Sequence, residues 1–180
     1  RRLQEFVPRD VILTAIALPV GRALEQLDRD KYETADEVTL SACATGSSPV
    51  IFPDGRVIGC IGPVINLPAN HPLYFGSLRE ERLDAILERA QRNVVLHAMR
   101  VWGPKKLIAM MRDAGLGDLV PARFIKDSVC DACYKLMENP RAVEFMEGVA
   151  GDAEFARLVA YGRLYYLHEP EMVEALGLEA

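Results

Sequence analysis

Apolar and polar positions change rhythm several times along the chain. Val11 to Leu18 is apolar and β-branched with no alternation, the pattern of a strand buried on both faces, and Pro19 and Gly21 end it. Arg22 to Leu40 is a polar, acidic connector with one short predicted helix near Ala23 to Leu27. Two short apolar runs follow, Pro49-Val50-Ile51-Phe52 and Val57-Ile58-Gly59-Cys60, around Pro53-Asp54-Gly55-Arg56. They predict a β-hairpin in which Gly55 supplies the positive φ of the turn. A loop rich in Gly, Pro and Asn runs to Pro72, and Gly76-Ser77-Leu78 leads into a helix.

From there the period is helical. Leu83, Ile86, Leu87, Ala90 and Val94 mark one face of a helix from Arg79 to about Arg100. Gly103-Pro104 starts a second helix, with proline at the position where its missing N–H costs nothing, and Gly115 closes it. Asn139-Pro140 and Gly151-Asp152 predict helices near 140–148 and 152–167, and a short one follows Pro170. The expected class is α+β, a short hairpin with cysteine-bearing loops followed by a mainly helical C-terminal half and preceded by one strand. No internal repeat or low-complexity segment is present.

Composition narrows the functional classes. The chain has 180 residues, 50% hydrophobic and 26% charged, which is enough for a buried core and argues against disorder. Its 26 acidic and 21 basic residues give a net charge of −5, so no cationic surplus points to a nucleic-acid backbone. The longest apolar stretch, Val11 to Val20 with Thr14 inside it, is far short of the about 20 residues that cross a bilayer. Arg1-Arg2 has the outline of a twin-arginine signal, but Pro8, Arg9 and Asp10 separate it from the apolar run, so the pair reads as solvated charge. A reducing, cytoplasmic setting is the expectation. The first residue is not Met, which fits processing or a fragment of a longer protein.

The chemistry lies in four cysteines. Cys43 and Cys60 bracket the hairpin, and Cys130-Asp131-Ala132-Cys133 is a C-x-x-C placed before a helical stretch. Four thiolates match the ligand set of one tetrahedral zinc or one iron–sulfur cluster. The plainer alternative is that all four are small buried hydrophobes. Turn residues (Gly46, Gly59, Gly62, Asp131) adjoin all of them, and none is expected on an amphipathic helix stripe, which favours a metal centre. A thioredoxin-type dithiol should open a helix directly after a strand in a βαβ unit, and 124–129 makes only a weak strand. Zinc ribbons pair two C-x-x-C knuckles, so the wide Cys43 to Cys60 spacing tilts the choice toward a cluster.

Cys43 and Gly55 with eleven residues between them, then Cys60 after four more, enclose Ile51-Phe52-Pro53-Asp54-Gly55-Arg56-Val57. This segment resembles the opening of the SPASM or twitch domain, the auxiliary-cluster module of many radical SAM enzymes. Gly76-Ser77-Leu78 is similar to that family's Gly-Asn-Leu step, with Ser77 in place of Asn. Leu18-Pro19-Val20-Gly21-Arg22-Ala23 is similar to the exit from the partial TIM-like barrel, which accounts for the strand Val11 to Leu18. The matches span about residues 10–100, and Cys130 and Cys133 extend them.

The resemblance implies that residues 1–40 are the end of the barrel and a linker. It implies that 41–180 are a domain in which Cys43, Cys60, Cys130 and Cys133 ligate one [4Fe-4S] cluster, with zinc as the alternative. Four cysteines stand where a full SPASM domain has seven, so at most one auxiliary cluster is expected. No C-x-x-x-C-x-x-C is present, so S-adenosylmethionine would be bound and cleaved by a radical SAM barrel outside this chain. The cluster would position a substrate, often a peptide in this family, or relay an electron during its radical modification. The competing class is a zinc-stapled, non-enzymatic interaction module.

Other residues carry weaker expectations. His71, His97 and His168 lack metal-ligand spacing; His71 reads as an exposed loop residue near the cysteines, and His97 as the surface or core edge of its helix. Trp102 beside Gly103-Pro104 is expected to staple one helix onto another. Tyr161, Tyr165 and Tyr166 are read as packing residues.

Overall fold

The computed structural model describes residues 5–8, 18, 20–38 and 42–178. The predicted strand Val11 to Leu18 lies outside these, apart from Leu18. Eight α-helices and five short strands occur among the described residues: α1 (Ala23–Gln26), β1 (Thr34–Ala35), β2 (Val50–Ile51), β3 (Arg56–Ile58), β4 (Tyr74–Ser77), α2 (Leu83–Gln91), α3 (Val94–Val101), α4 (Pro104–Asp113), β5 (Phe124–Ile125), α5 (Val129–Glu138), α6 (Pro140–Ala150), α7 (Ala153–Tyr166) and α8 (Met172–Ala175). The class is α+β. Among the described residues no helix is long and apolar enough to cross a membrane.

The hairpin forms where the pattern places it, Val50 opposite Ile58 and Ile51 opposite Val57. Gly55 sits at φ +89°, a conformation that an L side chain rarely adopts. The sequence reading missed a third strand: β4 pairs antiparallel with β3, and a bulge interrupts the register between Val57 and Ile58. A second two-stranded sheet joins β1 to β5, Thr34 opposite Ile125. Neither pairing is local, and strands of two to four residues carry too little alternation to announce themselves.

The long helix expected from Arg79 to Arg100 is two helices. Asn93 ends the first and caps the second, its side chain accepting from the Leu96 N–H at 2.8 Å while its amide donates to the Pro72 carbonyl at 2.6 Å. The other starts follow their signals. Pro104 opens α4 and Gly115 closes it at φ +74°, while Asn139 caps α6 and Asp152 caps α7. Trp102 packs on Phe155 of α7 with ring centroids 6.2 Å apart, the helix-to-helix contact expected of it. Tyr161 stacks on Tyr165 at 6.4 Å, and Tyr165 and Tyr166 are exposed.

The core is one continuous cluster running from Val57 and Phe75 of the sheet through Ile86, Leu96, Met99, Leu107 and Met111 to Leu136, Met146 and Phe155. α3 lies at its centre, packed against α7, α6 and the 3-10 turn Ala44–Ser47. This helix thereby connects the sheet end of the molecule, where Cys43 and Cys60 lie, to the helical end.

Candidate metal centre

Two local devices aim the first pair of cysteines. The Cys43 amide donates to the Met99 carbonyl at 3.0 Å, which ties the loop to the last turn of α3. Cys60 follows β3, and the chain there runs close under the sheet: a Cβ on Gly59 would stand 2.5 Å from Phe75 Cζ and 3.1 Å from Leu96 Cδ1. Only glycine permits that approach. Beyond Cys60 the chain turns back, and the Gly62 N–H donates to Cys60 Sγ at 3.1 Å.

The second pair differs from expectation. Cys130 and Cys133 do not precede a helix; they occupy the first turns of α5, whose cap Ser128 accepts from the Asp131 N–H at 3.1 Å. Cys133 falls on the buried stripe of that amphipathic helix with Ala132, Leu136 and Met137, so the expectation that no cysteine sits on such a stripe is corrected. Strand β5 precedes the helix directly. It pairs antiparallel with β1, so the described residues hold no parallel βαβ unit of thioredoxin type. The buried Asp131 between the two cysteines is consumed structurally, accepting from the Ile125 N–H and from Lys135 Nζ at 2.8 Å each.

The four cysteines line one small pocket. Its walls are Cys43, Cys60, Cys130 and Cys133 with Pro63, Val64, Leu73, Leu96, Met99 and Val129, and its enclosed space is about 20 Å³. A Cβ on Gly62 would lie 3.5 Å from the sulfurs of both Cys60 and Cys130. Those sulfurs are therefore within twice that distance of one another, and the missing methyl leaves the ground beside them clear. No disulfide joins any of the four.

Electrostatics tell of the same convergence. Burial pushes the Cys60 thiol up, with the Cys130 and Cys43 charges adding to the effect and amide hydrogen bonds from Gly62 and Val64 opposing it. Burial and the Cys43 charge raise Cys130. Cys133 is raised well above the ordinary thiol value by burial and by all three of the others. Cys60, Cys130 and Cys133, which resist ionisation through burial first and neighbouring cysteine charge second, can become thiolates together when cationic charge is placed among them. The Gly62 amide and the N-terminal end of α5 supply partial positive charge in the meantime.

The donor set, four sulfurs in an apolar wall with no carboxylate or imidazole, suits a soft metal centre. Its present closure is loose. Among the described residues no group of three or more His, Cys, Asp or Glu side chains is arranged to hold a metal ion, for which sulfurs about 3.8 Å apart in a tetrahedron would be needed. The enclosed space equals roughly one water-sized body.

The histidines are elsewhere. His71 is not exposed as expected but only 4% accessible, because the Pro72-Leu73 turn is folded under Asn93 of the α2–α3 junction, and it does not line the cysteine pocket. His97 is also buried, at 3%, since the break at Asn93 turns this face of α3 inward toward α7. Its Nε2 lies 2.8 Å from the Gln91 carbonyl and its Nδ1 2.9 Å from Arg100 Nη1. Arg100 and Arg163 in turn share Glu169, at 2.5 and 2.6 Å. The sequence reading missed this network, in which His97 and Arg163 are buried, altogether. Its members are 91, 97, 100, 163 and 169, and no short motif connects them.

Compared with known proteins, the chain matches no family model, no curated protein and no solved structure.

Proposed function

We propose that this chain is the auxiliary-cluster module of a radical SAM enzyme, with Cys43, Cys60, Cys130 and Cys133 holding a single [4Fe-4S] centre. The observation that supports the reading is that all four cysteines, from two loops and one helix, line one pocket. The Cys43/Gly55/Cys60 hairpin pattern supports the choice of family. When bound, such a cluster supplies an electron-transfer site or an open iron for substrate.

The residues of this chain have separable tasks in that reading. The hairpin and the Cys43 loop present two sulfurs, and the rigid start of α5 presents the other two. Leu73, Leu96, Met99, Val64 and Val129 line the pocket with apolar surface, which limits solvent access to the sulfurs and sets the local dielectric. The Gly62 N–H, already on Cys60 Sγ, stabilises negative charge on that sulfur and would raise the centre's potential. S-adenosylmethionine cleavage belongs to a barrel outside these 180 residues.

Anaerobic reconstitution with iron and sulfide tests the reading: about four irons and four sulfides per chain with absorption near 400 nm are expected. A colourless protein with one tightly held zinc favours the second reading, a zinc-stapled interaction module. The small space now enclosed by the thiols speaks for that alternative.

A further inference from the structure

Cys43 reaches the pocket on a different footing from the other three cysteines. Cys60 follows a strand of the three-stranded sheet, and Cys130 and Cys133 stand in a ten-residue helix. Cys43 instead leads into the 3-10 turn Ala44–Ser47, which lies on the end of α3. Its backbone is tied there through the Met99 carbonyl, and the turn itself rests on the next residue of that helix, Arg100.

Arg100 supports the turn with both parts of its side chain. Gly46 comes down on the stem: a Cβ there would stand 3.1 Å from Arg100 Cγ, so a glycine brings the two this close. Beyond the stem, Nε donates to Ser47 Oγ at 3.3 Å. Nη1 faces His97 Nδ1 at 2.9 Å, and Nη2 donates to Glu169 at 2.5 Å. The guanidinium is thereby fixed on three sides: the cysteine-bearing turn, its own helix, and the segment that follows α7.

That third partner is delivered by a sharp reversal. His168 sits at φ +56°, a conformation uncommon outside glycine, and the Glu169 N–H returns to the Arg163 carbonyl at 3.3 Å. The reversal turns the carboxylate inward, one oxygen on Arg100 and the other on Arg163 Nε. Arg163 is held in turn by the Gln91 carbonyl at 3.3 Å. The Arg100 and Glu169 side chains are only 11% and 17% accessible, so their attraction is screened far less than that of a surface pair. Glu169 also belongs to a docked segment: α8 packs back on α7 and Met172 is buried.

We propose that Arg100 is a positioning residue for Cys43, set in place by Glu169, so that docking of segment 168–178 and ligation by Cys43 are coupled. Without the Glu169 charge, two neighbouring guanidiniums repel, Arg100 turns toward solvent, and the turn that carries Cys43 loses the side chain it rests on. Cys60, Cys130 and Cys133 keep their sheet and helix supports. Coupling of this kind is reciprocal, so a metal that fixes Cys43 also favours the docked segment. The link from Glu169 to Cys43 concerns the metal-free chain; only the return effect rests on the reading of the cysteines as ligands.

The test is iodoacetamide alkylation of the full metal-free chain, each cysteine followed separately by mass spectrometry of its peptide. Cys43, Cys60 and Cys130 are all half-buried, so the last two are internal references, and buried Cys133 reports global opening. Glu169→Gln keeps the side chain's size and removes its charge; it is expected to raise the Cys43 rate by roughly fivefold or more relative to the references. Ser47→Ala leaves the shielded ion pair intact, so it reads the turn without loss of the fold. It should raise the Cys43 rate about twofold, the share of one exposed hydrogen bond, and Ser47→Thr, which keeps the hydroxyl, should restore it. Hydrogen exchange with and without Co²⁺ reads the return path: loading should slow the hydrogen-bonded amides of Met172, Leu176 and Leu178. Ser47→Ala and Glu169→Gln rates at Cys43 that rise no more than those of the references overturn the positioning role, and cobalt loading that leaves the three amides unchanged overturns the coupling. A chain that takes up no cobalt yet shows the selective rise at Cys43 upholds the positioning role and defeats the metal reading instead.

Discussion

The Gly62 amide donates to the sulfur of Cys60 across 3.1 Å, while the same glycine leaves open the space that a Cβ would take 3.5 Å from Cys130 Sγ. One residue thus serves both halves of the cysteine constellation. A methyl there touches both sulfurs, so Gly62→Ala is expected to leave the apo fold at its wild-type melting temperature but to lower metal or cluster occupancy severalfold. Equal loading of variant and wild type, by iron, sulfide and zinc analysis, contradicts a centre at this spot.

Loading should release protons. The thiols of Cys60, Cys130 and Cys133 are raised by burial first and by neighbouring cysteines, Cys43 in every case, second, so they are protonated at neutral pH and must ionise to ligate. Titration with Co²⁺ in weakly buffered solution is expected to release more than one proton per ion bound, and apparent affinity should fall steeply as pH drops from 8 to 6. Affinity independent of pH excludes thiolate ligation. In the loaded protein all four cysteines should resist alkylation, and Cys60→Ser should remove that protection from the others.

Acid should destabilise the fold through two histidines. His97 and His71 both have pKa values of about 4 in the folded protein against an ordinary 6.5, burial being the leading cause in each, with the Arg163 and Arg100 charges adding to it at His97. The unfolded chain therefore binds more protons between those values, so stability is complete above about pH 6.5 and lost as pH falls toward 4. Geometry gives the reason at His97: the Gln91 carbonyl can only accept and Arg100 can only donate, so the neutral ring must carry its proton on Nε2. A second proton, on Nδ1, would point at the guanidinium. Urea unfolding at pH 7, 6 and 5 should show a falling midpoint, and His97→Gln should flatten that fall.

Glu169 continues the same trend at lower pH. Burial raises its carboxyl, but hydrogen bonds from Arg100 and Arg163 outweigh that and hold it below the usual value. Its contribution is present above the unfolded pKa and disappears as pH drops through the lowered folded one. Glu169→Ala leaves the buried Arg163 and the mostly covered Arg100 with no counter-charge, and a loss of about 3–5 kcal/mol is expected in denaturant unfolding. A loss under 1 kcal/mol would mean that the Arg100/Arg163 pair is solvated in solution.

Gly59→Ala should behave oppositely to the Gly62 change. The new methyl meets the Phe75 ring at 2.5 Å in a fully packed core, so stability drops by about 1–3 kcal/mol before any metal is added. A wild-type unfolding midpoint for this variant excludes the close approach of the Cys60 segment to β4.

Sequence alone determined the parts whose causes are local. The Pro53-Asp54-Gly55 turn forces a hairpin, and Asn139-Pro140 and Asp152 start helices by their own side chains. Tertiary structure decided what depends on groups distant in the chain. Asn93 splits the long helix because the Pro72 carbonyl, twenty-one positions away, holds its amide, and β1 exists as a strand because β5 lies beside it. His71 reads as a loop residue, but its fate was set by the chain folding over it. The meeting of Cys43 and Cys60 with Cys130 and Cys133 belongs to the same kind: periodicity reports which face of an element is apolar, whereas only packing says which faces meet.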